Sequence, residues 1–196
     1  NRRFGHFLPK TPVNTSHTRL FCFSRRMLAE ILKKTGFYSE RDLLLFENAI
    51  RFRAVAKDEI LLAQGNVCKS VFYVVKGAFY QYDFRDEIEQ NVIDLHTDGE
   101  WFLNHKSFVA QKPSASFVQA YADSEILELT VESLHGLIAE SPAFLQMGKL
   151  LEQATARVHF FDNAFTPAQK YEYLLNNRPQ LLQAFPLKIV ASYLKI

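Results

Sequence analysis

Residues 58–82, DEILLAQGNVCKSVFYVVKGAFYQY, decide the fold. Residues 60–63 and 71–75 are dense in β-branched, aromatic and aliphatic side chains, and each run is followed closely by a glycine, Gly65 or Gly77. Glycine is the residue that lets a chain turn with positive φ or pack closely, so the pattern predicts short strands reversing at these points. A third turn is expected at Asp98-Gly99. Strands that reverse about every dozen residues point to an antiparallel jelly roll or β-roll.

Working outward, strands are expected over residues 59–63, 71–75, 78–84, 90–95, 117–121 and 125–129. Upstream, from Met27 to Ala56, the spacing is helical. Leu28, Ile31 and Leu32 share one face, Gly36 offers a stop, and Ser39-Glu40-Arg41-Asp42 opens a second helix through Leu43, Leu44, Phe46 and Ile50. Residues 1–26 have two prolines and no clean period, and form an extension whose origin the sequence leaves open. Their arginines are followed by no apolar stretch of useful length, so a secretory signal is not expected.

Downstream, Phe144, Met147, Leu151, Ala154, Val158, Phe161 and Phe165 are spaced alternately by three and four, as in the seam of a coiled coil. The spacing predicts a long helix over residues 142–165 that pairs with a second copy. The alternative is that the stripe packs on its own roll. Thr166-Pro167 is a helix start, Arg178-Pro179 an interruption and Pro186 a further start.

At 196 residues and 48% apolar, the chain can fill a core, and no apolar run approaches the ~20 residues of a membrane span. Cys22 and Cys68 lack a Cys-x-x-Cys spacing, which suggests neither a disulfide framework nor a metal site and fits a reducing cytoplasm. The net charge of +2 hides an asymmetry: residues 27–140 hold eleven basic and eighteen acidic side chains, residues 141–196 six and three. An acidic middle with a basic end suits a sensor joined to a nucleic-acid binder. His96, His105, His135 and His159 lack the spacing of a metal-dependent jelly-roll enzyme, and neither a P-loop nor a Gly-x-Ser-x-Gly occurs, so catalysis is not expected.

Gln64-Gly65, then eleven residues, then Gly77 after an apolar strand resembles the cyclic-nucleotide-binding domain of the Crp/Fnr transcription regulators. The resemblance covers about residues 40–196. It implies an α+β chain: N-terminal helices, an antiparallel β-roll (a double-stranded β-helix jelly roll), a long dimerisation helix, and the helical start of a winged helix-turn-helix. The units expected are an extension at 1–26, a sensor at 27–140, a dimerisation helix at 141–165 and the beginning of the DNA-binding domain at 166–196. The final eleven residues, PLKIVASYLKI, resemble the first helix of that motif, with Ile189, Val190 and Leu194 inward and small Ala191 where a second helix approaches. Lys188, Ser192 and Lys195 become candidates to lie near DNA, and the recognition helix would follow residue 196.

The resemblance also places an effector pocket at Gly99, Trp101, Phe102, Leu103, Asn104, Lys106, Ser114, Ala115 and Ser116. In family members that bind cyclic AMP, a Gly-Glu pair holds the ribose and an arginine the phosphate. The pair falls here on Leu103-Asn104 and the arginine on Ser114 or Pro113, so both anchors are missing. Lys106, His105 or Lys112 would have to substitute, while Trp101, Phe102, Phe108 and Phe117 would line the pocket or fill it. The expected function is that of a cytoplasmic, homodimeric, DNA-binding transcription regulator that does not use cyclic AMP in the usual mode. No cofactor is expected with certainty, an unidentified small-molecule effector stays open, and RNA polymerase is a further candidate partner. The alternative is a stand-alone module that binds a cyclic-nucleotide-type ligand or another protein.

Overall fold

The computed structural model describes residues 25–85, 89–160 and 165–196. Two helices lead in, α1 (Arg25–Lys33) and α2 (Glu40–Ala49). Ser39 caps α2 in a reciprocal box: its Oγ accepts the Asp42 N–H at 3.2 Å while its own N–H donates to Asp42 Oδ2 at 2.8 Å. The roll follows as β1 (Arg51–Val55), β2 (Ile60–Leu62), β3 (Ser70–Lys76), β4 (Ala78–Arg85), β5 (Glu89–Thr97), β6 (Trp101–Phe102), a short helix α3 (His105–Ala110), β7 (Phe117–Ala120) and β8 (Ser124–Thr130).

These strands form two four-stranded antiparallel sheets, ordered β1-β8-β3-β6 and β2-β7-β4-β5. The jelly-roll class expected from the glycine turns is present. Gly77 has φ 116°, and a Cβ there would run into the Ser124 side chain, so both its conformation and its surroundings call for glycine. Strand β1 corrects the sequence reading, which carried helix through Ala56. Residues 51–55 bury Phe52 and Val55 and pair with β8, with Arg53 ion-paired to Glu59 across the β1–β2 turn. Pairing with a strand some 75 residues away leaves no mark in local periodicity.

The first core fills the space between the sheets and under the leading helices. Phe102 is its centre, fully buried and stacked on Phe72 (5.2 Å between centroids), Phe79 (5.1 Å) and the His96 ring (4.7 Å). Trp101 packs edge-on against Tyr73 and Phe46.

After β8 come α4 (Val131–Glu140), a 3-10 segment (Pro142–Gly148) and α5 (Lys149–Phe160). The single helix expected over residues 142–165 is therefore divided. Phe144, Met147 and Ala154 are buried in the first core and Leu151 packs half-buried against it, so these seam positions face the chain's own roll. Residues 142–148 take a 3-10 course, and the α-helix begins only at Lys149. The Val158 side chain and Phe161 lie outside the described residues; Phe165 is half-buried just before the next helix.

Three further helices complete the chain: α6 (Pro167–Asn177), α7 (Pro179–Ala184) and α8 (Leu187–Leu194). Their starts agree with the sequence. Thr166 caps α6 in a reciprocal box with Gln169, and prolines open α6 and α7. Leu174, Leu181, Phe185, Val190, Tyr193 and Leu194 pack on Ala78, Tyr80, Tyr82, Val92 and Leu95. This second core covers the outer face of the β2-β7-β4-β5 sheet. The inward face expected of α8 is present, with Ile189 half-buried at its rim. Among the described residues, no helix is long and apolar enough to cross a membrane.

Candidate functional site

Alternation along β4 determines what the roll's interior contains. Phe79 and Gln81 point inward while Ala78, Tyr80 and Tyr82 point outward, and across the ladder Phe79 faces His96 and Gln81 faces Asp94. Gln81, Asp94 and His96 are all buried.

From β6 and α3, Asn104 reaches the same space. Its Oδ1 accepts the Ser107 N–H at 3.1 Å, capping α3, and its Nδ2 donates to Ser116 Oγ at 2.8 Å and to Gln81 Oε1 at 3.5 Å. Gln81 Nε2 lies 3.0 Å from His96 Nε2 and donates to the Leu103 carbonyl at 3.1 Å. Ser114 Oγ donates to the Ser116 carbonyl at 2.7 Å and accepts the Ser116 N–H at 3.1 Å. Asn104, Gln81, His96, Ser114 and Ser116 are thus linked in a connected network. A linked network of this kind resists rearrangement, because breaking one link leaves buried polar groups unpaired.

The expected pocket residues divide into two sets. Phe102, Asn104, Ser114 and Ser116 are brought together inside the roll with the Leu103 carbonyl, whereas Trp101 is buried on the other face of the sheet against Tyr73 and Phe46. Gly99 forms the turn after β5 with φ 80°, its carbonyl bonded by Lys34 Nζ at 2.6 Å. Lys106 and Ala115 are exposed, as are Lys112 and Pro113. His105 is half-buried and bonds Thr155 Oγ1 at 3.0 Å. The aromatic candidates Trp101, Phe102 and Phe108 belong to the first core, whereas Phe117 packs at the second.

The charged groups beside the network are held by one another. Asp94 is buried, with Oδ2 3.6 Å from His96 Nε2 and Oδ1 4.0 Å from Arg178 Nη1. Arg178 enters from the junction of α6 and α7, and its Nη2 donates to both Glu100 oxygens, at 3.0 and 2.8 Å, and to the Leu95 carbonyl at 2.8 Å. Burial works against its charge, but Glu100, Tyr193 and Asp94 outweigh that and push the guanidinium pKa above its ordinary value. Its forks are therefore committed to the protein's own carboxylates. The Cys68 thiol is pushed up by burial and is held close to Ser70. Among the described residues, no three His, Cys, Asp or Glu side chains cluster as a metal site would require.

Sequence reasoning missed Gln81, Asp94, His96 and Arg178. The first three carry a signal, a polar residue at an inward position of an otherwise apolar strand. Arg178 carries none beyond its place before a proline. Of the residues expected near DNA, Lys188 is exposed, whereas Ser192 and Lys195 bond strand β5. Their placement has a simple cause: β5 is a sheet edge, and its outward backbone groups take these donors and acceptors.

Residues 52–141 match the cyclic nucleotide-binding domain family. A cyclic nucleotide-binding domain from Methylobacillus flagellatus aligns at 16% identity over 80% of this chain and 85% of that one, with a TM-score of 0.58. FixK2 from Bradyrhizobium japonicum aligns at 15% identity over 75% and 78%, with a TM-score of 0.57. The Thermus thermophilus catabolite activator protein aligns at 19% identity over 59% of this chain, with a TM-score of 0.51. The alignment spans 54% of the length of that protein. No curated protein sequence matches the chain. Residues 52–141 are thus similar to a cyclic nucleotide-binding domain, and the chain shares its fold with these solved structures.

Proposed function

We propose that this chain is the sensor, with the first helices of the DNA-reading domain, of a homodimeric transcription regulator, and that its roll does not take cyclic AMP in the usual mode. The carrying observation is the interior network of Asn104, Gln81, His96, Ser114 and Ser116, whose members bond one another and present no cation at the two expected anchor positions. A cyclic phosphate placed there would be desolvated without a guanidinium, at a cost of several kcal/mol. Capped, proline-started helices after the roll, and the basic balance of residues 141–196, support the DNA-binding part. A cytoplasmic, non-catalytic role follows from the same reading.

Calorimetric titration tests the sensor part. Cyclic AMP and cyclic GMP should show no binding tighter than roughly 1 mM, equivalent to about −4 kcal/mol. Micromolar affinity would overturn the proposal, and its disappearance in Lys106→Ala would show that a lysine had replaced the arginine.

With Phe144, Met147 and Ala154 occupied by the roll, the dimer contact is assigned to the outer face of α5 and residues following it. Val158→Glu with Phe161→Glu should convert a dimer to a monomer in sedimentation. An unchanged dimer would place the interface elsewhere. The hydrogen-bonded interior also favours a second reading, a protein-interaction module that needs no small effector. Specific DNA binding by the protein with its following residues would exclude it.

A further inference from the structure

Strand β5 pairs with β4 on one side only. Its other side carries outward backbone groups, and side chains from α6–α8 fill them. Ser192 Oγ accepts the Val92 N–H at 3.0 Å and donates to the Gln90 carbonyl at 3.3 Å. Lys195 Nζ donates to the Val92 carbonyl at 2.7 Å and to Asn91 Oδ1 at 2.6 Å. Arg178 Nη2 takes the Leu95 carbonyl. The outward positions change from 90 and 92 to 95 because Ile93 is left unpaired as the register shifts between Val92 and Asp94. This bulge brings one edge within reach of two separate anchors.

Of the anchors, Lys195 holds backbone that is otherwise disfavoured: its φ of 60° and ψ of 46° are a left-handed conformation that glycine adopts far more readily than lysine. Arg178 is the non-helical residue between α6 and α7. From Arg178 a continuous set of contacts runs inward: to Asp94 at 4.0 Å, from Asp94 to His96 at 3.6 Å, from His96 to Gln81 at 3.0 Å, and from Gln81 to Asn104 at 3.5 Å.

We infer that Arg178, Ser192 and Lys195 latch helices α6–α8 to the edge of β5, and that Arg178 and Asp94 couple this latch to the polar network inside the roll. A change at Gln81 or Asn104 then loosens the helices, and undocking the helices loosens the network, since coupling between sites is reciprocal. The inference rests on the reading above only for what the helices would carry. The latch itself does not require that they read DNA.

Amide hydrogen exchange on the full chain tests it. Arg178→Gln should speed exchange across α6–α8 by about tenfold while β3 and β8 keep their protection. Ser192→Ala, a milder change, should speed exchange chiefly at Val92. Gln81→Leu touches none of the three helices and should still speed their exchange about threefold. Unchanged α6–α8 exchange in Gln81→Leu would overturn the coupling. Uniform acceleration of all strands and helices in Arg178→Gln, or no acceleration anywhere, would overturn the latch. If Arg178→Gln fails to fold, Ser192→Ala alone decides: an unaltered Val92 rate refutes the latch. Fluorescence anisotropy with duplex DNA on the protein with its following residues separates the two proposals, because failure to bind DNA there refutes the regulator reading and leaves the exchange pattern of α6–α8 unaffected.

Discussion

The two cores of this molecule are built on opposite faces of one sheet, and they are specified differently. The interior face of β2-β7-β4-β5 meets the other sheet through aromatic stacking on Phe102 and a hydrogen-bonded network. The outer face meets α6–α8 through Tyr80, Tyr82, Val92 and Leu95, with edge bonds around them. The first core is made by strands of the roll and its flanking helices, so it closes when the roll closes. The second depends on residues about 80 to 100 positions away. The matched domain can therefore stay folded while the helical unit comes and goes.

The largest expected effect is at Phe102. Phe102→Ala removes the ring on which three others stack, and should cost about 3–5 kcal/mol and lower the melting of both cores together. Loss of the second core alone would show that the cores are not ordered as argued. Next is Leu181→Ala, a fully buried truncation in α7 that should cost about 2–5 kcal/mol. Here limited proteolysis should cut α6–α8 first, with the β-sheet circular dichroism retained. Simultaneous loss of the roll would mean one inseparable unit.

A smaller change is Thr166→Ala, which deletes the cap of α6 and should cost about 1 kcal/mol, detectable as faster exchange in its first turn. Retained protection there would mean that packing, not capping, starts the helix. The smallest effect appears only in alkali. Burial, followed by the neighbouring Tyr82 and Asp58, pushes the Tyr80 phenol up to about 12. The unfolded chain releases that proton near pH 10 and the folded one does not. The stabilisation is therefore complete below pH 10 and is lost as pH rises toward 12. Tyr80→Phe should flatten that part of the stability profile, and an unchanged slope would assign it to other groups.

Much of the first core was legible in the sequence, because strands that alternate and reverse at Gly65, Gly77 and Gly99 carry their own local signal. Asn104 and Ser114, the positions where the resemblance places charged anchors, are both found inside the roll. What escaped depends on contacts distant in sequence. Strand β1 is a strand because β8 pairs with it. The stripe from Phe144 to Ala154 has the spacing of a seam but is drawn into the roll, and periodicity cannot say which apolar surface claims a face. Arg178 looked like a helix break; its pairing with Glu100 and Leu95 appears only once α6 and α7 are folded over β5.

The bonds along β5 have one more consequence. An unpaired strand edge is a template on which a second chain can add its own strand, and proteins keep such edges blocked. Here the blocking groups are side chains of Ser192, Lys195 and Arg178, and beside them lies the apolar face bearing Tyr80, Tyr82 and Val92. A chain truncated at residue 165 would lose the block and the cover in one step. Such a fragment should self-associate and precipitate during purification, and solubility would return with charged substitutions on β5. The helices that follow the roll are thus also what keeps it from aggregating.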